Sequence, residues 1–155
     1  RNGQIVVFNR SHYEDILAVR VKNIFPKSVW EPRYQHIVDF ERMLADEGTT
    51  IVKIFLHISK DEQKERLQSR LDNVVKHWKF NPDDLKDRAR WDDFQGVYED
   101  LIEKTSAECA PWYIVPSDRK WYRNLVVARI IVDTLKDLDM KFPIADWMAE
   151  DIVID

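Results

Sequence analysis

The 155-residue sequence has few of the residues that mark several familiar protein classes. It contains one cysteine, Cys109, so no intrachain disulfide can form, and we expect a reducing compartment, the cytoplasm. Its three glycines do not build a G-x-x-x-x-G-K-[ST] loop, the motif that cradles phosphates in many nucleotide-binding proteins. No apolar run is long enough to cross a bilayer, and the amino end lacks a signal-peptide pattern. We therefore expect neither a disulfide scaffold nor a membrane partner.

Charge is plentiful but nearly balanced. Lys and Arg number 24 against 28 Asp and Glu, giving a net charge of −4. A general nucleic-acid surface is usually basic overall, so we expect no nucleic-acid partner, although a local basic groove could still hold a polyanion. The length and a hydrophobic content of 45% fit one domain with one core.

The amino-terminal segment combines a short apolar run with a burst of polar groups. Gln4–Phe8 is typical of a buried strand in a parallel sheet, and Ser11-x-x-Glu14 predicts a capping box that begins a helix. Asn9 and Arg10 would then lie between strand and helix, where α/β sheets bind ligands and where free N–H groups favour an anion. An ordinary strand-to-helix turn with a surface arginine fits the same pattern.

Two further strand patterns alternate with helical ones, which predicts an α/β fold with a parallel sheet. Thr49–His57 predicts a second strand buried on both faces, and Pro111–Pro116 predicts a third. Helix starts are predicted near Glu31–Pro32, at the Ser59-x-x-Glu62 capping box (running to about Lys76), at Asn81–Asp84 and at Ser117.

Cations at helical spacing form a second candidate site. Arg66 and Arg70 lie four residues apart, where like charges repel by about 0.2–0.5 kcal/mol, so an anion lying over them would explain the pair. Alternatively, Glu62 offsets Arg66 on a solvated helix face. Lys79 ends the next basic stretch, and it could contact a polyanion or simply suit the helix dipole.

Six motifs of the chain carry one resemblance. They are Phe8–Asp15, Arg66 with Arg70, Trp78–Phe80, Arg90–Asp93, Ala110–Tyr113 and Trp121–Asn124. Together they resemble the polyphosphate kinase 2 family, P-loop kinases that move phosphate between inorganic polyphosphate and nucleotides. The His-Tyr-Glu-Asp ending of the first motif resembles the branch that phosphorylates both nucleoside mono- and diphosphates. The resemblance covers nearly all of the chain except the last dozen or so residues.

The resemblance implies a P-loop kinase-like three-layer α/β/α fold with a parallel sheet and a helical lid. Residues 1–155 would form a single truncated kinase domain, with lid helices at about 59–93 and a tail at about 143–155. The family carries its glycine-lysine loop upstream of Asn9–Arg10, and the chain begins at Arg1 without methionine. We therefore expect the carboxyl-terminal part of a larger kinase, a natural paralogue without the loop being the alternative.

The resemblance also implies roles for individual side chains. The predicted catalytic residues are Arg10, Asn9, Arg66 and Arg70. The predicted substrate-binding residues are Asp15, Glu14, Lys79, Arg20 and Lys22. Asn9 departs from other branches, which have aspartate there, and a neutral amide does not supply the charge that attracts Mg²⁺. We therefore expect Mg²⁺ as cofactor with its main ligands upstream, and no metal ligand within this chain.

The implied function is polyphosphate-dependent nucleotide phosphotransfer between inorganic polyphosphate and AMP or ADP, reversible and by direct in-line transfer. The expected partners are polyphosphate, adenine or guanine nucleotides, and further copies of the chain in a homodimer or homotetramer. Two alternatives are an ATP-dependent nucleoside monophosphate kinase and a non-catalytic assembly or regulatory piece. The 155 residues alone are expected to lack kinase activity.

Overall fold

The computed structural model describes residues 3–142 and residue 144. In this part of the chain the helices are α1 (Glu14–Val21), α2 (Lys27–Trp30), α3 (Arg33–Asp46), α4 (Lys60–Leu71), a 3₁₀ helix (Val74–Lys79), α5 (Asp83–Ala89), α6 (Trp91–Thr105) and α7 (Lys120–Asp137). The strands are β1 (Lys53–His57) and β2 (Trp112–Pro116). None of these helices combines the length and apolar character that crossing a bilayer requires. The tail at about 143–155 lies outside the described residues, apart from Ile144.

The two strands form a parallel pair, with Lys53 opposite Trp112 and His57 opposite Pro116. The chain between them passes through α4, the 3₁₀ helix, α5 and α6, as a parallel connection requires. The predicted α/β class with a parallel sheet is therefore confirmed. The prediction that the second strand is buried on both faces is wrong, because burial decreases from Lys53 to an exposed His57. Each described strand has only one strand beside it.

The predicted first strand, Gln4–Phe8, is absent. The segment has no regular structure, and the side chains of Ile5, Val6, Val7 and Phe8 are 63% to 87% exposed. An apolar run becomes a strand only when a neighbouring backbone accepts its hydrogen bonds. In the described part of the chain, β1 and β2 pair with each other and not with this segment.

The predicted capping box at Ser11 and Glu14 is also wrong. Helix α1 begins at Glu14, its N-cap is Tyr13, and no side chain caps it. The Ser11 carbonyl instead accepts the Glu14 N–H at 3.1 Å. A backbone turn therefore takes the place of the side-chain cap.

Other helix starts follow the sequence more closely. Ser59 Oγ accepts the Glu62 N–H at 3.1 Å, which confirms that Ser59 caps α4. Asn81 Oδ1 accepts the Asp83 N–H at 3.0 Å at the start of α5. The helix predicted to continue to Lys76 ends at Leu71. Ser117 does not cap α7, because its hydroxyl donates to the Val115 carbonyl and the N-cap is Arg119.

The core forms around α1, whose buried side chains face helices α3 and α6. Ile16 packs in one cluster with buried residues of those two helices, and Leu17 and Val21 pack with Val97 of α6. Fully burying such a side chain is worth about 1.5–3 kcal/mol. Because α1 follows directly on the Asn9–Arg10 turn, this core fixes where the turn can lie.

A partly buried ion pair joins α1 to α6 and makes stability depend on pH. Arg20 Nη1 lies 2.7 Å from Asp100 Oδ2 and also donates to the Tyr34 hydroxyl. The hydrogen bond from Arg20 lowers the pKa of Asp100 below its ordinary value, with further help from Lys104. A carboxylate with a depressed folded-state pKa stabilises the protein above its unfolded value of about 3.9, and that stabilisation is lost as pH falls through the folded value.

We therefore expect Asp100→Asn to reduce the difference in free energy of unfolding between pH 6 and pH 3. The amide has no proton to gain, so the part of the acid sensitivity that belongs to Asp100 disappears. Urea unfolding at the two pH values measures the difference. Arg20→Met, which removes the partner, should flatten the profile in the same way. An unchanged profile in both variants would exclude the linkage.

Candidate functional site

A cavity of about 310 Å³ opens at the carboxyl ends of β1 and β2, and we call it the edge crevice. The strands end there at His57 and Pro116, and α4 and α7 begin beside them. Its lining is His57, Ser59, Pro116, Ser117, Asp118, Arg119 and Tyr122. This is the position at which open α/β sheets bind ligands. The sequence prediction placed that position at Asn9–Arg10 and missed this crevice, although strand patterns ending at His57 and Pro116 were a usable signal.

Arg66 braces one wall of the edge crevice. Its Nη2 donates to the Ser117 carbonyl at 2.7 Å, and its Nε donates to Glu62 at 2.7 Å. Asp118 Oδ1 accepts the Ser59 N–H at 2.7 Å, and this bond lowers the pKa of Asp118. The Glu62 contact considered from the sequence is therefore present, and Arg66 also holds the loop after β2 against α4.

The Asn9–Arg10 turn lies beside a second, smaller cavity of about 140 Å³, which we call the turn pocket. Arg10, Glu14, Phe55, Tyr98 and Trp112 are among its lining residues. Arg10 has φ 72°, a left-handed conformation that is uncommon outside glycine. Its side chain is 79% exposed, with Nε 4.0 Å from Glu14 Oε1. Arg10 and Glu14 are therefore brought together, and the guanidinium faces solvent.

Behind the turn lies a buried polar cluster, Tyr13–Glu41–Lys53, that sequence reasoning missed. Lys53 Nζ is 2.6 Å from Glu41 Oε2, and the Tyr13 hydroxyl donates to Glu41 Oε1 at 2.6 Å. Lys53 also donates to Tyr13 Oη at 2.9 Å and to the Thr105 carbonyl at 2.7 Å. Burial lowers the pKa of Lys53, which Glu41 partly offsets, and burial followed by the Glu41 contact raises the pKa of Tyr13.

The remaining predicted residues lie at several places, and their roles stay predictions. Arg70 Nη1 is 3.7 Å from Asp84 Oδ2, which links α4 to α5. Lys22 Nζ is 3.3 Å from Asp87 Oδ1. The Lys79 ammonium lies 4.8 Å from the centre of the Trp78 ring.

Two predicted residues on α1 contact neighbouring helices. The Asp15 carbonyl accepts from Arg33 at 2.6 Å. Arg20 donates to Asp100 and Tyr34, a structural task at the interface of α1 with α6.

The described residues contain no ready-made cluster of metal ligands. Within residues 3–142 and 144, no three His, Cys, Asp or Glu side chains converge closely enough to hold a metal ion. At the turn, the Asn9 amide is neutral and Glu14 faces Arg10. The Arg10 guanidinium favours an anion at this turn, whereas Mg²⁺ is held in many enzymes by one or two carboxylates together with substrate phosphates.

These features define a class: an α/β protein with a crevice at its strand ends, an arginine that braces the loop beside that crevice, and an exposed arginine at the turn before α1. The sequence matches the family model described as Polyphosphate kinase 2 (PPK2) over residues 1–143. The chain belongs to the polyphosphate kinase 2 family.

Relatives and solved structures agree with this placement. The chain is 59% identical, over its whole length, to an AMP/ADP-polyphosphate phosphotransferase of Meiothermus ruber, and covers 58% of that protein. It is 44% identical, over 91% of its length, to an ADP-polyphosphate phosphotransferase of Rhodopseudomonas palustris, and covers 53% of it. The crystal structure of Polyphosphate Kinase 2 from Arthrobacter aurescens TC1 superposes with a TM-score of 0.89 at 48% identity, covering 92% of this chain and 50% of that one. The chain thus spans about half the length of these relatives.

Proposed function

We propose that this chain forms part of a polyphosphate:nucleotide phosphotransferase that moves phosphate between inorganic polyphosphate and AMP or ADP. The observation that carries the proposal is the 59% identity, over the whole chain, with a protein named AMP/ADP-polyphosphate phosphotransferase. The Rhodopseudomonas palustris relative, named for ADP, supports the same reaction class. The exposed Arg10 guanidinium supplies the kind of group that such a reaction needs.

Phosphoryl transfer depends mainly on holding the phosphates in line and neutralising their oxygens. Arg10 suits this task because its five N–H donors match phosphate oxygens and its side chain is largely free of protein contacts. We propose that Arg66 and Arg70, on the predicted lid at about 59–93, contact the same phosphate chain when the lid closes. Closure would also exclude water, which otherwise competes as the acceptor.

The proposed transfer is direct. An oxygen of the terminal phosphate of AMP or ADP forms a bond to the terminal phosphorus of polyphosphate. The bridging P–O bond of the donor breaks at the same phosphorus, and the electron pair leaves with the shortened polyphosphate. The nucleotide gains one phosphate, and no phosphorylated residue of the protein is required.

Several finer assignments are part of the proposal. We propose Mg²⁺ as a cofactor whose ligands lie mainly in a preceding segment that also supplies the phosphate-binding loop. We further propose that guanine nucleotides are accepted beside adenine nucleotides, and that the protein forms a homodimer or homotetramer in the cytoplasm. The single cysteine of the sequence is the ground for the compartment.

A donor-exchange assay tests the proposal. The polypeptide that includes the preceding segment is incubated with AMP or ADP and with polyphosphate as the sole donor, and nucleotide products are separated by chromatography. We expect ADP and ATP to form from polyphosphate, and the 155-residue chain alone to form neither. Product formed from ATP and AMP but not from polyphosphate would indicate a nucleoside monophosphate kinase instead. No transfer from either donor would favour an assembly role.

A further inference from the structure

The Tyr13–Glu41–Lys53 cluster uses the full hydrogen-bonding capacity of its ammonium group. Lys53 has three N–H donors, and they meet Glu41, Tyr13 and the Thr105 carbonyl at 2.6, 2.9 and 2.7 Å. Both Glu41 oxygens are also engaged, one by Lys53 and the other by Tyr13. A fully satisfied buried polar network is rigid, since any displacement leaves a charge or a dipole without its partner.

The cluster ties the start of α1 to three other elements. Glu41 belongs to α3, Lys53 to β1 and Thr105 to α6, whereas Tyr13 is the N-cap of α1. His12 lies against the same carboxylate, with Nε2 3.5 Å from Glu41 Oε1, and its ring stacks on Tyr13 at 4.7 Å. His12 and Tyr13, which follow the Asn9–Arg10 turn closely, therefore both contact the buried Glu41 Oε1.

Few contacts stabilise the Asn9–Arg10 turn itself. Arg10 adopts φ 72°, a left-handed conformation that is unfavourable for an L-residue. Its ion pair with Glu14 is long, at 4.0 Å, and α1 has no side-chain cap to fix its entry. The first buried side chain after Arg10 is that of Tyr13, three residues further along the chain.

Stability alone does not explain why an ion pair occupies this place. Exchanging a buried ion pair for apolar residues of similar volume is often neutral or stabilising, whereas a hydrogen-bonded pair fixes geometry that apolar contacts leave loose. In this protein the buried pair fixes the positions of His12 and Tyr13, which follow Arg10.

We propose that Glu41 and Lys53 are positioning residues which, acting through Tyr13, hold the Asn9–Arg10 turn in the orientation that phosphate transfer requires. This inference rests on the proposed function for its kinetic consequence. Its structural consequence, an ordered turn, can be measured without any activity. Neither carboxylate nor ammonium would touch the substrate, because both side chains are at most 5% exposed.

Tyr13→Phe tests the inference, with Tyr34→Phe as its matched control. Both tyrosines belong to the same core cluster and are almost equally buried, at 6% and 5% exposure. Each loses one buried hydroxyl, but the Tyr34 hydroxyl accepts from Arg20 and not from the cluster behind the turn. Backbone ¹⁵N relaxation reports the order of residues 9–11, and kcat is measured in the polypeptide that includes the preceding segment.

We expect Tyr13→Phe to lower the order parameters of Asn9, Arg10 and Ser11 from about 0.85 to below about 0.6. We expect kcat to fall by about 10- to 100-fold, because a catalytic group displaced by about 1 Å can lose that much rate. Tyr34→Phe should leave both quantities unchanged. His12→Ala, which removes the more exposed contact to Glu41, should give an intermediate loosening and serves if Tyr13→Phe does not fold.

A folded Tyr13→Phe variant with a turn as ordered as the wild type would overturn the inference. A Tyr13→Phe variant with a less ordered turn but a normal kcat would also overturn it, because the order of the turn would then have no effect on the rate of transfer. If the wild type transfers no phosphate from polyphosphate, the proposed function fails instead. In that case the relaxation result alone decides whether the cluster orders the turn.

Discussion

Lys53→Met is expected to lower the free energy of unfolding by about 3–5 kcal/mol, the usual cost of removing one partner of a buried ion pair. Methionine retains most of the length of the lysine side chain, so little of the loss comes from a cavity. It comes from Glu41, whose carboxylate is 2% exposed and would lose its 2.6 Å contact with Lys53. Domains of this size have a free energy of unfolding of about 5–15 kcal/mol, so the variant would lose a large share of the total stability. Urea unfolding followed by circular dichroism measures the change.

Two companion variants identify the cause of that loss. Lys27→Met removes an exposed ammonium that is 3.2 Å from Glu31, and we expect a change within about 0.5 kcal/mol. Lys53→Met combined with Glu41→Leu removes both charges and should recover part of the loss, although Tyr13 then lacks its acceptor. If Lys53→Met alone lowered the free energy of unfolding by less than about 1 kcal/mol, the buried pair would stabilise the fold less than expected.

Arg10→Ala is expected to reduce phosphate transfer from polyphosphate by about 10²- to 10³-fold, the range found when one electrostatic stabiliser of a transition state is removed. The free energy of unfolding should change by less than about 0.5 kcal/mol, because the side chain is 79% exposed and its only described ion pair is long. Stability separates this variant from Lys53→Met, which is expected to lose about 3–5 kcal/mol. Steady-state rates with ADP as acceptor, measured in the polypeptide that includes the preceding segment and paired with urea unfolding, separate rate from stability.

Arg129→Ala is the matched control for Arg10→Ala. Arg129 lies on α7, is 76% exposed and pairs with Asp133 four residues along the helix. It should keep the wild-type rate. Arg10→Lys should recover only part of the lost rate, because an ammonium supplies the charge without the planar fork. Normal transfer by Arg10→Ala would remove Arg10 from the proposed site.

Local patterns were sufficient for part of the fold. The alternation of strand and helix patterns correctly predicted the α/β class and a parallel sheet, which β1 and β2 form. The Ser59 cap was also predictable, since the donor is the N–H of Glu62 only three residues away. In both cases the deciding interaction is either short in sequence or set by a repeating pattern.

Predictions failed where the deciding partner is distant. The Gln4–Phe8 segment has strand-like composition, yet a strand needs a neighbour, and the described chain places none beside it. Lys53 occurs within an apolar run, and its partner Glu41 lies 12 residues earlier on another element. No local sequence pattern predicts that such a lysine is buried. The contact of Arg20 with Asp100, 80 residues away, has no local signal in the sequence either, and the substrate role of Arg20 stays a prediction.

The candidate site was predicted unevenly for the same reason. The sequence pointed to Asn9–Arg10 as an anion site, and the exposed Arg10 guanidinium is consistent with that prediction. The edge crevice was missed because it forms only when β1 and β2 end side by side and bring His57 next to Pro116. Arg66 was chosen for its spacing to Arg70, whereas its contact with the loop after β2 depends on a carbonyl 51 residues away.

We propose that Arg10 and the arginines of α4, Arg66 and Arg70, bind one phosphate chain together. Titration of tripolyphosphate into the protein, with the arginine Nε–Hε signals observed by NMR, tests this shared binding. We predict that Arg10, Arg66 and Arg70 shift with a single shared Kd, while Arg129 stays unchanged. Shifts at Arg10 alone, or at the α4 arginines with a clearly different Kd, would contradict the claim.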